Sequence, residues 1–187
     1  MSGFLDNIVN VTESYILMTE DEKKNLIANN SGQPDVVTLQ KFLTIYKLED
    51  IPSELQYNMQ FTFKKAQAFE AAYIAAGGCP LDWTSVFRSK EHHIRIYKEI
   101  AARKKVSFDL SKVPMGSKHL KFLAWDCKPK NNTVKHLQDW VLHEEHGIMA
   151  SLDLFFEGFD FTTGWVHAQT AAFGSYKDGG TRFFTPY

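Results

Sequence analysis

Two imidazoles and one carboxylate are the side chains of this chain that most suggest chemistry. His119 precedes Asp126 by seven residues in Ser117-Lys118-His119-Leu120-Lys121-Phe122-Leu123-Ala124-Trp125-Asp126, and His167 follows in Trp165-Val166-His167. Such a donor set, with a fourth position left open, is the composition of a catalytic zinc site. Zn2+ held that way would lower the pKa of a bound water to about 7 and would polarise a carbonyl as a Lewis acid. A single histidine beside a strand is more often structural than a ligand, and the seven-residue spacing alone is open to coincidence. The order and context of the three together carry the reading.

The elements that must position them are strand-like. On a strand through Trp165-Val166-His167-Ala168-Gln169, alternation puts Trp165, His167 and Gln169 on one face and Val166 and Ala168 on the other. The same alternation puts Ala124 and Asp126 on one side of the run Lys121 to Cys127. The remaining histidines read differently. His143 and His146, in His-Glu-Glu-His, are three apart at a helix end, whereas the HExxH zinc motif needs four; they suit the terminal carbonyls of a helix. His92 and His93 are adjacent on a helix and point about a hundred degrees apart, so they read as surface or packing residues.

Further along the chain, Thr19-Glu20-Asp21-Glu22 has the pattern of a capping box. Asp35 is placed to cap a helix in which Val36, Leu39, Leu43 and Tyr46 recur at helical spacing. Pro52 suits a helix start, and a long helix is predicted over Glu54–Ala76, stopped by Gly77-Gly78. After the double glycine, strands are predicted in Leu81–Phe87, Lys121–Cys127, Leu152–Gly158, Gly164–Gln169 and Thr181–Phe184. Helices are predicted after Ser89 and after Asn132, the second stopping at Gly147. The expected class is α+β, a small antiparallel sheet flanked by helices with an extra helical N-terminal region. Residues 1–50 would form that region, as a docking element or an extension of the core, and residues 51–187 the functional domain.

Composition excludes several roles. The 187 residues are 44% hydrophobic and 14% aromatic, enough for a substantial core. The net charge of -1 offers no field for nucleic acid, and Arg103-Lys104-Lys105 is a short run that suits a solvated helix end. No run approaches the roughly 18 apolar residues of a membrane span. The first residues lack the basic and apolar regions of a signal peptide. Cys79 and Cys127 read as ordinary thiols, with one bridge between them left open.

The segments around the three candidate ligands resemble the zinc peptidases that act on D-alanine-containing peptides of bacterial cell walls. That family includes D-alanyl-D-alanine dipeptidases and carboxypeptidases and many phage endolysins, and the Hedgehog signalling domain is similar to it. The signature S-x-H-x-x-G-x-A-x-D corresponds to Ser117 through Asp126, and the later W-x-H to Trp165 through His167. Thr84-Ser85-Val86-Phe87-Arg88-Ser89 resembles a segment whose arginine faces the substrate, and Gly179 to Tyr187 is similar to endings of phage-encoded members. The likeness spans about Ile51 to Tyr187.

The resemblance implies that His119, Asp126 and His167 hold Zn2+. It implies that Arg88 binds a substrate carboxylate or stabilises an oxyanion, the other reading of Arg88 being a structural salt bridge. Ser117, Trp165 and Gln169 would contact substrate. The chain departs from the pattern twice. Phe122 stands at the signature glycine, and Gly164 stands where many members carry an acidic general base. Asp160 and Glu157 are the nearest upstream acids that could serve instead.

The function so implied is a zinc metallopeptidase, endopeptidase or carboxypeptidase, cutting peptidoglycan peptides next to a D-amino acid. It would be phage-encoded, made in the host cytoplasm, and either released to the wall or carried in the virion, where residues 1–50 could meet other virion proteins. The competing expectation is a virion structural or binding protein that keeps the fold without turnover.

Overall fold

In the computed structural model, the residues described are 37–143, 147, 150, 152–170 and 182–185. The helix expected at Thr19, the Asp35 cap and His146 lie outside them. The described residues form four helices and one five-stranded sheet, an α+β arrangement. The strands are β1 (Leu81–Ser85), β2 (Ala124–Pro129), β3 (Phe155–Glu157), β4 (Val166–Gln169) and β5 (Phe183–Phe184), in the order β1-β2-β4-β3-β5. The sheet is not wholly antiparallel: β5 runs parallel to β3. No hairpin joins these two, since β4 intervenes in the chain, so no tight turn dictates their relative direction.

Helix α1 (Leu39–Leu43) is capped by Thr38, whose hydroxyl accepts from Lys41 N at 3.4 Å. It ends well before Tyr46, at Thr44 with φ 60°. The β-branched pair Thr44-Ile45 weakens the helix. Tyr46 is held instead by tertiary bonds, its hydroxyl accepting from Ser89 N at 3.0 Å and pairing with His92 Nδ1 at 2.7 Å. Helix α2 (Gln56–Ala75) follows a 3-10 turn at Ser53–Leu55. Its end is a Schellman motif: Gly77 at φ 86° donates to Ile74 O, and Gly78 donates to Tyr73 O. A Cβ on Gly78 would meet the Tyr73 ring at 2.6 Å. Helix α3 (Lys90–Arg103) is capped by the Ser89 hydroxyl, and α4 (Val134–His143) begins where the Thr133 hydroxyl accepts from His136 N.

The core lies where α2 packs on the sheet. Met59, Phe63, Ala66, Phe69 and Tyr73 recur at helical spacing and are buried with Trp125, Cys127, Val166 and Ala168. Val37, Leu39, Phe42 and Leu43 belong to the same core. Ring contacts run continuously from Phe42 to Trp83, Trp125, Phe69 and Trp140. Burying each large apolar side chain contributes about 1.5–3 kcal/mol. One buried carboxylate ties three segments together: Glu70, on α2, accepts from Val37 N at 2.6 Å and Leu81 N at 2.7 Å. Both cysteines are free thiols. No described helix is long and apolar enough to cross a membrane.

Candidate metal centre

Antiparallel register brings two of the candidate ligands together. Asp126 on β2 is paired directly with His167 on β4, and side chains opposite one another in such a ladder share a face. The His167 ring nitrogen Nδ1 lies 2.7 Å from Asp126 Oδ1. The neighbours Trp125, Cys127, Val166 and Ala168 point to the core instead, as the period of two requires.

His119 arrives from the 3-10 turn Lys118–Lys121 that precedes β2. Its Nδ1 lies 2.7 Å from the Val86 carbonyl. A carbonyl only accepts, so Nδ1 carries the proton and the Nε2 lone pair is directed into the cluster. Nε2 lies 3.5 Å from Asp126 Oδ1, and the two imidazole centroids are 5.0 Å apart. One ligand atom from each of His119, Asp126 and His167 can be chosen so that all lie within 4.8 Å of one another.

The turn that delivers His119 ends at Phe122, which has φ 56° and ψ 40°, the left-handed region. An L-residue there costs about 1–2 kcal/mol. The ring compensates by burial, stacked on Phe87 at 5.4 Å and close to Phe42.

All three candidate ligands are buried. Burial pulls the His119 pKa below its ordinary value, against the pull of Asp126, so the ring is neutral at pH 7. Burial acts the same way on His167, but the hydrogen bond and charge of Asp126 outweigh it, with Glu157 and Gln169 adding, and the net shift is upward. Burial alone would raise Asp126; the two imidazoles overcome it and hold the carboxyl well below the usual carboxylate range. The cluster is thus an ionised carboxylate with two nitrogen bases, one of them sharing a proton with it. A divalent cation would replace that proton, as metal binding generally does. The donor set therefore fits a metal ion.

The cluster opens onto a pocket of about 270 Å³. Arg88, Ser117, Glu157, Trp165 and Gln169 line it together with the three ligands. Asp160 does not: it is exposed, on the turn after β3, while Glu157 ends β3 itself. Burial raises the Glu157 pKa, with Asp126 adding and His167 opposing. Arg88 is turned toward the cluster: Nη2 donates to Asp126 Oδ2 at 2.8 Å, and Nε to Ser85 Oγ at 2.8 Å.

Tyr97 on α3 and Lys118 also line the pocket, and neither has a signal in the sequence that separates it from other surface residues. The Val86 carbonyl is likewise invisible in a sequence, because backbone carries no residue type. His143, the last residue of α4, is exposed. His93 is buried against Tyr97, and Arg103, Lys104 and Lys105 are exposed at the end of α3.

Set against protein-family models, curated proteins and solved structures, the chain matches none of them.

Proposed function

We propose that the chain is a zinc-dependent peptidase acting on bacterial cell-wall peptides next to a D-amino acid. The observation that carries the reading is the convergence of His119 Nε2, Asp126 Oδ1 and His167 Nδ1 beneath a pocket with Glu157 on its wall. Phe122 adds support. It stands at the glycine of the cell-wall peptidase signature and keeps the left-handed backbone that glycine adopts freely.

Bound by these three residues, Zn2+ would supply a Lewis acid and an acidified water. The protein's own part falls to side chains on the pocket wall. Glu157, with its pKa raised by burial, takes the proton of the attacking water and returns it to the leaving amine, a role worth about 10²–10⁴-fold. It replaces the acid that Gly164 does not provide. His119 is kept in the tautomer that offers Nε2, and the Gln169 side chain hydrogen-bonds the His167 ring. Trp165, 41% exposed at the rim, offers an aromatic surface to a peptide stem, and Ser117 a hydroxyl.

The protein would reach the wall after release from the host cell or as part of a virion. A virion protein without turnover is the competing reading, favoured by the glycine at 164. The test is zinc content together with digestion of purified sacculi. About one zinc per chain and cleavage abolished by chelation are expected. Digestion that survives metal removal or His167→Ala would overturn the proposal, and zinc binding without muropeptide turnover would favour the competing reading.

A further inference from the structure

The Asp126 carboxylate has two oxygens with separate duties. Oδ1 faces both imidazoles, at 2.7 Å from His167 Nδ1 and 3.5 Å from His119 Nε2. Oδ2 faces away and accepts from Arg88 Nη2 at 2.8 Å. The guanidinium is itself fixed, because its Nε donates to Ser85 Oγ at 2.8 Å. Ser85 is brought opposite Asp126 by the irregularity in the β1–β2 register after Trp83, which re-aims the strand end.

The same short segment holds the other ligand. The Val86 carbonyl accepts from His119 Nδ1, and the Arg88 backbone N–H donates to the His119 carbonyl at 3.2 Å. Residues 85–88 therefore touch both His119 and Asp126 and grip each by groups that do not face the cluster centre. A guanidinium suits this task because its planar fork can serve a carboxylate and a hydroxyl at once and never loses its charge.

We propose that Arg88, oriented by Ser85, is a positioning residue that reserves Asp126 Oδ2, so that Asp126 offers a cation one oxygen and not two. This rests on the reading of the cluster as a metal site. A carboxylate free to turn would chelate through both oxygens and fill the coordination position that a water and a substrate carbonyl need. Arg88 thereby acts on the metal through Asp126, and its guanidinium is committed before any substrate carboxylate arrives.

The test is the visible spectrum of the Co2+-loaded full chain, which reports coordination number independently of turnover. Wild type should give the intense d–d bands of a four-coordinate ion. Arg88→Met should weaken those bands and shift them to shorter wavelength. Ser85→Ala should do so partially, and Arg88→Lys, which keeps a cationic donor for Oδ2, should restore them. Wild-type spectra in Arg88→Met and Ser85→Ala would overturn the proposal while leaving the metal site standing. Failure of lysine to restore the bands in a folded protein would also overturn it. Should Arg88→Met not fold, as judged by far-UV circular dichroism, an unchanged Ser85→Ala spectrum would be sufficient to do so. A wild-type chain that takes up no Co2+ would remove the metal reading itself.

Discussion

Asp126 Oδ1 and His167 Nδ1 meet at 2.7 Å because β2 and β4 pair those two residues directly. A shift of one residue in that register would turn His167 into the core and leave the carboxylate facing Val166 or Ala168. The candidate centre is therefore a consequence of strand pairing, and its chemistry can be probed one side chain at a time.

In metal-free protein, the His167 ring should titrate above the ordinary value of 6.5 and the His119 ring below it. His167 then contributes stability that is fully present below its unfolded pKa and is lost as pH rises through its folded one. His119 works in the opposite sense, since a depressed histidine pKa penalises the acid side. Asp126→Asn should drop the His167 pKa, because burial then acts without the carboxylate. Histidine ring resonances followed by NMR against pH read both shifts, and a wild-type His167 titrating below 6.5 would contradict the electrostatic account.

Glu157→Gln should leave zinc stoichiometry unchanged and lower kcat on muropeptides by about 10²–10⁴-fold. Asp160→Asn should change neither quantity, since Asp160 is exposed and off the pocket wall. Steady-state kinetics on both variants, with metal content measured alongside, decides which acid serves.

Phe122 poses a contest between backbone and ring. Phe122→Ala keeps the left-handed strain and loses the buried ring, a truncation that costs about 3–5 kcal/mol. Phe122→Gly loses the same ring but relieves the strain, by about 1–2 kcal/mol. Urea unfolding should therefore rank wild type above glycine and glycine above alanine. An alanine variant more stable than the glycine variant would place the strain elsewhere.

Glu70→Gln should destabilise the fold by about 1–3 kcal/mol at pH 7. Both carboxylate oxygens accept backbone N–H bonds, from Val37 and Leu81. A carboxamide keeps one acceptor and turns its own N–H groups toward the other donor. Equilibrium unfolding in urea measures the loss.

What could be read from the sequence was local. The Gly77-Gly78 stop follows from turn chemistry, and the split of Trp165, His167 and Gln169 from Val166 and Ala168 follows from the pleat. What could not be read depends on residues far apart in the chain. Tyr46 falls outside helix α1 and is bonded to Ser89 and His92 at the start of α3. Which of Glu157 and Asp160 lines the pocket depends on where β3 ends beside β4, which pairs Phe155 with Gln169; counting residues back from His167 does not give it. The direction of the Arg88 side chain depends on a register irregularity that leaves no mark in residue types.

The placement of the four tryptophans has a practical consequence. Trp83, Trp125 and Trp140 belong to one continuous run of ring contacts, whereas Trp165 stands half-exposed at the pocket rim and joins no ring pair among the described residues. Intrinsic fluorescence should therefore combine an interior signal that follows unfolding with the signal of a half-exposed indole, which a ligand entering the pocket would change. Replacing Trp165 by phenylalanine would silence the second and leave the first as an unmixed reporter of the folded state.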